Sequence, residues 1–345
     1  MTQVHLVAPA GLHDVARPSG GNRYDLRLVD GLAARGWRVE VTEAAGGWPA
    51  PGATALTALD ATLAAMRAGA RVVVDGLVGA AAGPVLARHQ RRLDLTLLVH
   101  MPLEEGQRAA EAAAVTAVGT VIVTSDWTRR HLLERHPALD RDRIVVATPG
   151  VDPAPVATAT ADGGRLLTVA AAVPAKGHDL VASALAGLAG LGWQWTCVGS
   201  LELDPAHVRG LRDALSSAGV ADRVRFTGPL SGTALEAAYA GSDLLVLGTR
   251  REAYGMVIGE ALARGIPVVA TAVGGVREAI GAAPGGEVPG LTVAPGDVNA
   301  LREALHRWLA DPGERARLRS AARDRRSTLA GWDATVDVVE RVLRR

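Results

Sequence analysis

Short runs rich in Val, Ile and Leu alternate with longer Ala-, Leu- and Arg-rich stretches of helical period along almost the whole chain, and few folds accept that alternation. In the first half the runs are Val4–Ala8, Arg38–Thr42, Arg71–Asp75, Leu95–His100, Thr120–Thr124 and Ile144–Ala147. Helix-like stretches lie between them near 21–35, 57–68, 80–91, 106–117 and 126–136. Strand then helix, repeated, is the pattern of a parallel sheet covered on both faces. At Thr148-Pro149-Gly150-Val151-Asp152-Pro153 the pattern breaks into a Pro/Ala/Thr-rich stretch that runs to Gly164 and reads as a linker. The alternation then restarts, with strand runs at Leu166–Ala170, Gln194–Val198, Val224–Thr227, Leu244–Leu247 and Pro267–Thr271. Helices are expected near 177–189, 204–218, 232–240, 256–264 and 297–310, and Trp332, Val336, Val339 and Val342 repeat at helical spacing in the last segment. The chain therefore divides into two α/β domains, 1–152 and 153–330, with a closing helix at 331–345 that packs back on the first domain. Two such halves imply a cleft, and ligands of open parallel sheets bind beyond the carboxyl ends of the strands.

Composition removes several functional classes. Lys+Arg 37 against Asp+Glu 36 leaves a net charge of +1, with no surplus for neutralising a nucleic-acid backbone, so no nucleic-acid partner is expected. The lone Cys197 excludes an intrachain disulfide and fits a reducing compartment. The first residues carry no signal-peptide pattern, and Arg, Asp or Gly interrupts every apolar run before it reaches the ~20 residues of a membrane span. A cytoplasmic protein without a transmembrane segment is expected. The nine His show no metal-ligand spacing, so no metal site is indicated. There is no GxSxG elbow, and Ala8-Pro9-Ala10-Gly11 after the first strand is no dinucleotide fingerprint. Asp140-Arg141-Asp142, in an Arg-rich turn before a strand, reads as solvated charge, and Arg88, His89, Arg91 and Arg92 as a helix-end basic cluster that complements the dipole, with membrane contact second.

The stretch from Asp243 to Thr271 carries the most chemistry. It reads as a buried strand, a loop through Glu252 and Tyr254 to Gly255, and a helix through Met256, Val257 and Glu260 that stops at Gly265. A loop that delivers bare amides to a helix N-terminus is an anion site. Eight residues of helix span about 12 Å. Glu252 and Glu260 are thus too far apart for the ~5–9.5 Å of a glycosidase carboxylate pair, and suit two ends of an elongated ligand. A second element, Leu166 through Ala170-Ala171 to Lys176-Gly177, places a cation at a helix entry, where it suits a phosphate. Lys176 is the only lysine in a chain that otherwise uses Arg, which argues for a compact, pivoting ammonium at that point.

The Glu252-to-Glu260 stretch resembles the signature of the retaining nucleotide-sugar glycosyltransferases of family 4, the "glycosyl transferases group 1". The resemblance implies their GT-B fold of two Rossmann-like domains facing each other across a cleft, an acceptor-binding one first and a nucleotide-sugar-binding one second. By the same resemblance Glu252 meets the donor sugar, Glu260 the ribose hydroxyls, and the amides around Gly255, Met256 and Val257 the sugar and phosphate, beside Tyr254. Lys176 takes the diphosphate. The family's companion Gly-Arg is absent, since Ala170-Ala171 stands there: either diphosphate binding is looser, or Arg250 or Arg251 compensates, or the donor is held differently. Pro18-Ser19-Gly20-Gly21-Asn22 resembles the N-terminal Gly-rich loop near the donor phosphates, and His100 a histidine that touches the donor sugar. Val198-Gly199-Ser200 and Phe226-Thr227-Gly228-Pro229-Leu230 resemble the segments that enclose the base.

The function so implied is a metal-independent, retaining hexosyltransferase or a related glycosyltransferase. Its donor is a nucleotide-sugar, UDP-linked ahead of GDP- or ADP-linked, and its acceptor a hydroxyl on a small or lipid-linked molecule. The donor is a substrate, and no cofactor is called for. Glu252, Lys176 and His100 are the expected catalytic residues. Arg17, Asn22, Tyr24 and Trp48 are offered to the acceptor without a diagnostic pattern. A sugar-nucleotide epimerase of the same fold and a non-catalytic sugar-binding protein are the alternatives. The absent signal peptide and the phosphate-directed Lys176 and Gly255 argue against the second.

Overall fold

The computed structural model describes residues 2–14 and 18–345, so Arg17 lies outside the described residues. The chain forms two compact units. The first runs through Asp14, Ser19–Gly150 and Trp332–Arg345, and the second is Val151–Gly331.

In unit 1 the elements are β1 (Gln3–Pro9), α1 (Gly20–Ala34), β2 (Arg38–Ala44), α2 (Ala53–Ala65), β3 (Arg71–Asp75), α3 (Gly76–Gly79), α4 (Gly83–His89), β4 (Asp94–Val99), α5 (Arg108–Ala117), β5 (Thr120–Val123), α6 (Asp126–Arg135) and β6 (Ile144–Val146). The six strands form one parallel sheet in the order β2-β1-β3-β4-β5-β6. Because successive side chains alternate faces, β3 sends Val72 and Val74 into one core and Val73 into the other. The C-terminal helix (Trp332–Leu343) joins the second of these, burying Val336, Val339 and Leu343 with Leu28 and Leu32 of α1.

Unit 2 contains β7 (Arg165–Val169), α7 (His178–Ala186), β8 (Gln194–Val198), α8 (Pro205–Ser217), β9 (Val224–Gly228), α9 (Gly232–Ala240), β10 (Leu244–Leu247), α10 (Met256–Ala263), β11 (Val268–Thr271), α11 (Val276–Ile280), β12 (Gly290–Val293), α12 (Val298–Ala310) and α13 (Pro312–Arg325). Its parallel sheet has the order β12-β11-β10-β7-β8-β9. Read from the other edge, this is the doubly wound order of nucleotide-binding sheets, with its reversal between β7 and β10. Asp243, buried ahead of β10, ties the unit together: its carboxylate accepts from the Thr160 and Arg165 amides at 2.6 and 3.0 Å and pairs with Arg319 of α13 at 3.1 Å.

Three expectations need correction. The helix expected near 80–91 is three short pieces, α3, a 3-10 turn at Ala80–Ala82 and α4, because Gly76, Gly79 and Gly83 press against β4 and α5 where no continuous helix passes. The basic cluster is no free surface. Arg88 and His89 hold Asp60 of α2 at 3.1 and 2.8 Å, and Arg92 donates to the Leu63 and Met66 carbonyls. Gly20 and Gly21 belong to the first turn of α1, capped by the Ser19 hydroxyl, and not to a loop before it. Asp140 accepts from the Asp142 amide at 3.0 Å and so closes a turn. Among the described residues no helix is long and apolar enough to cross a membrane.

The loops after β7 and β10 approach without room for side chains. Gly177 has φ +64, and a Cβ there would lie 1.8 Å from the Gly248 carbonyl oxygen. Gly177→Ala should therefore destabilise unit 2 by roughly 2–4 kcal/mol, through left-handed strain and a backbone clash. Chemical denaturation of the purified variant measures it.

Candidate active site

Polar residues gather in unit 2 at the reversal of strand order. The loop leaving β7 carries Lys176 and the loop leaving β10 carries Glu252, and the Lys176 ammonium meets the Glu252 carboxylate at 2.8 Å. Backbone bonds hold the loops in register: Arg250 N–H donates to the Ala175 carbonyl at 2.8 Å and Gly275 N–H to the Glu252 carbonyl at 3.2 Å. Gly255, with φ +95, caps α10, and its amide-bearing first turn of Met256 and Val257 follows at once. That turn offers free N–H groups to an anion beside the only lysine.

Arg250 carries an ion pair of its own. Its guanidinium makes a bidentate pair with Asp179 at 2.8 and 2.6 Å and donates to the Pro174 carbonyl at 2.5 Å. It braces the Lys176 turn.

Glu260 sits inside α10, 9% exposed, and its Oε2 accepts from the Tyr239 hydroxyl at 2.7 Å. The Arg264 guanidinium lies 4.6 Å from the Tyr239 ring centroid and donates to the Glu260 carbonyl at 2.7 Å. The segments expected at the base also meet. Gly199 N–H donates to Gly228 O at 3.0 Å, Ala170 N–H to Val198 O at 2.8 Å, and the Thr227 hydroxyl to Gly228 O at 2.8 Å. Leu230 packs on the apolar cluster that holds Tyr239 and Tyr254, whose phenol is pushed up by burial. Tyr239, Asp179 and Gly275 escaped the sequence reading. Asp179, three residues beyond the sole lysine and in the first turn of its helix, was the most findable of them.

His178, which opens α7 next to Gly177, is fully buried with both ring nitrogens unpartnered. Burial pushes it down to about 4, so it adds no charge beside Lys176 at neutral pH.

In unit 1, His100 follows β4 and its Nε2 lies 2.8 Å from Asp25 Oδ1 and 3.3 Å from Asp75 Oδ2. Asp25 comes from α1 and is fully buried, while Asp75 ends β3 and caps α3 by accepting from Leu77 N–H at 2.7 Å. The three residues offer ligand atoms within 4.8 Å of one another, a spacing that a metal could use, but Nε2 already bonds to both carboxylates. Gly21 makes room for the ring, since a Cβ there would lie 3.1 Å from His100 Cδ2. Neither aspartate carries a sequence motif, so neither was anticipated. Tyr24 is buried, with its hydroxyl donating to Ala147 O at 2.9 Å, the Asn22 side chain donates to Gly11 O at 3.0 Å, and the Trp48 indole to Ala44 O at 3.1 Å. These three serve unit 1's own backbone, and the structure does not gather them into an acceptor surface.

Two six-stranded parallel α/β units of this kind define the GT-B class, and solved glycosyltransferases share it. The chain matches sucrose-phosphate synthase from Thermosynechococcus elongatus with a TM-score of 0.81 at 24% identity, covering 100% of this chain and 98% of that one. It matches HepE from Anabaena, solved in complex with UDP-glucose, with a TM-score of 0.78 at 18% identity over 100% of both chains. Residues 158–325 match the family described as Glycosyl transferases group 1, and through this stretch the chain belongs to that family. D-inositol 3-phosphate glycosyltransferase from Kineococcus radiotolerans is 33% identical over 71% of this chain, and the one from Salinispora tropica 32% over 68%. The matched regions span 61% and 52% of those relatives' own lengths.

The Lys176–Glu252 pair is part-exposed, at 31% and 16% of the side chains, so its worth in the free protein should be modest. A double-mutant cycle with Lys176→Ala and Glu252→Gln should return a coupling of about 0.5–1.5 kcal/mol in denaturant unfolding.

Proposed function

We propose that the protein is a retaining, metal-independent glycosyltransferase that moves a sugar from a UDP-sugar to a hydroxyl acceptor. The observation that carries this reading is the meeting of Lys176 and Glu252 beside the Gly255-capped start of α10, at the switch point of a doubly wound sheet. The cation and the amides supply a diphosphate site, and the carboxylate supplies an acceptor for sugar hydroxyls. Glu260, oriented by Tyr239, stands one helical stretch further along for the ribose. UDP is favoured as the nucleotide because HepE was solved with UDP-glucose. The acceptor of the inositol-phosphate relatives is the first to try. The free, buried Cys197 supports placement in the cytoplasm.

In this reading the bond from the anomeric carbon to the diphosphate oxygen breaks while the acceptor oxygen bonds to the same face of that carbon. The acceptor proton passes to the leaving phosphate oxygen. Lys176 and the amides at Met256 and Val257 stabilise the charge that develops there, and no protein nucleophile is required. Lys176 is shared: it balances Glu252 before the donor arrives and turns to the diphosphate afterwards.

A thermal-shift panel of UDP-, GDP- and ADP-sugars tests the donor, since a ligand that binds only the folded form raises the midpoint. Anomeric NMR of the product tests retention. Glu260→Ala should weaken UDP and UDP-sugar alike by ~1.5–3 kcal/mol, as measured by calorimetry. Glu252→Gln should bind UDP at least as tightly as wild type and lose turnover. Unchanged UDP affinity in Glu260→Ala would refute the ribose assignment.

A further inference from the structure

Unit 1 buries two carboxylates against one histidine. Asp25 of α1 is 0% exposed, and Asp75 at the end of β3 is 2% exposed. Among the described residues no Arg or Lys pairs with either, and both turn an oxygen toward the same atom, His100 Nε2. A neutral ring leaves two negative charges out of water, and a protonated ring still leaves one. The second oxygen of Asp25, Oδ2, is buried without any hydrogen-bond partner. An oxygen left in that state asks for a positive centre beside it.

We propose that Asp25, Asp75 and His100 form a structural site for one divalent cation of the zinc class, bound by His100 Nε2 and an oxygen of each aspartate. Asp25 Oδ2 or a water completes the shell. The spacing fits such an ion. Ligands at ~2.0–2.1 Å from zinc in a tetrahedral array lie roughly 3.3–3.4 Å from one another. His100 Nε2 stands 2.8 Å from Asp25 Oδ1 and 3.3 Å from Asp75 Oδ2, and the three ligand atoms all lie within 4.8 Å of one another. An imidazole nitrogen with two carboxylates suits Zn2+ ahead of Mg2+, which takes oxygen ligands and keeps its waters. The hydrogen bonds from Nε2 do not oppose this, because the cation takes the place of the hydrogen between ring and carboxylates. The N–H bond gives way to an N–metal bond, the proton passes to solvent, and two carboxylates with one divalent ion are neutral together.

The shell is braced from behind, as metal sites require. Asp75 Oδ1 accepts from Leu77 N–H at 2.7 Å, Tyr24 packs edge-on against the ring at 5.1 Å between centroids, and a Cβ on Gly21 would lie 3.1 Å from His100 Cδ2. The His100 side chain is 14% exposed, so an ion can reach it from solvent. Each ligand comes from a different element, α1, β3 or the end of β4, which is why no ligand spacing marks the site in the sequence. All of it belongs to unit 1. The proposal therefore stands apart from the glycosyltransferase reading, and the ion has no part in the transfer assigned to Lys176 and Glu252.

The test uses the full chain, freed of metal by a chelator and titrated calorimetrically with ZnCl2, MnCl2 and MgCl2. About one Zn2+ per chain should bind, more tightly than Mn2+, with Mg2+ weakest. Zn2+ should raise the thermal midpoint, since it binds the folded form. Asp25→Asn, Asp75→Asn and His100→Gln keep the shape of the site and each remove a ligand or its charge. Each should lose Zn2+ affinity by more than the ~10–100-fold typical of an outer-shell partner, and the rise in midpoint with it. Asp75→Asn can still accept the Leu77 amide. Where a variant does not fold, CoCl2 on the wild type decides: a tetrahedral site gives an intense visible spectrum, and His100 ring signals in NMR should shift with it. No saturable Zn2+ binding would overturn the proposal. So would uptake that survives in all three variants, which marks adventitious surface histidines, or uptake that requires UDP, which puts the ion on a diphosphate. UDP affinity should be the same with and without Zn2+. If UDP does not bind at all, the functional reading fails and the metal titration still stands.

Discussion

The approach of two glycines in unit 2 sets where its polar loops meet. Gly177 and Gly248 meet where β7 and β10 release their loops, and a Cβ on Gly248 would lie 2.4 Å from Gly177 O. A parallel sheet whose strand order reverses opens a crevice between those two loops. Filling it with side chains would push them apart. Two glycines let the loops touch, and the residues just beyond the contact, Lys176 on one and Glu252 on the other, then fall within ion-pair distance. The Arg250–Asp179 fork and the Thr249 hydroxyl, which donates to Ala175 O at 3.2 Å, lock the same junction from the sides. The charge pair is a consequence of backbone packing, and its modest energy does not hold the loops together.

Legibility in the sequence follows the same division. Leu244–Leu247, which carries the Glu252 loop, was read to the residue because a buried parallel strand is a continuous apolar run, whereas β7 was read one residue late, at Leu166–Ala170 against Arg165–Val169. β12 was missed: four residues beginning with Gly, after a Gly/Pro-rich turn, give no period. α13 was missed because its sequence is dominated by Arg, and only Leu318, Ala321 and Ala322 form an apolar stripe. Glu252, Glu260 and Lys176 were legible through spacing within one stretch or through rarity. Asp25, Asp75 and Tyr239 were not, since each acts on a partner far along the chain: 75 residues separate Asp25 from His100, and 21 separate Tyr239 from Glu260. Nothing local distinguishes a buried aspartate that holds a histidine from a helix-surface one.

The two units solve one electrostatic problem in opposite ways. Unit 2 places a cation with one carboxylate at a part-exposed junction, where water screens both and the pair exchanges partners cheaply. Unit 1 places a ring with two carboxylates at 0% and 2% exposure, where exchange is expensive because an unpaired buried charge is poorly compensated. The first arrangement suits a charge that must turn toward an arriving anion. The second suits a ring whose direction does not change.

That contrast bears on Ala171. With Arg250 paired to Asp179 in the free protein, the proposed diphosphate site would offer the Lys176 ammonium together with the amide-bearing turn at α10. Glu252 neutralises Lys176 in the free protein, so this pair by itself would add little to long-range attraction of an anion. On the proposed reading, binding would come from short-range geometry: amides at a helix start, a pivoting lysine, and the Glu260 carboxylate held by Tyr239. Such a site discriminates by fit more than by charge. On that reading it would gain less from a bare anion such as phosphate than from a ligand long enough to reach from Lys176 to Glu260, and an elongated nucleotide-sugar has that length.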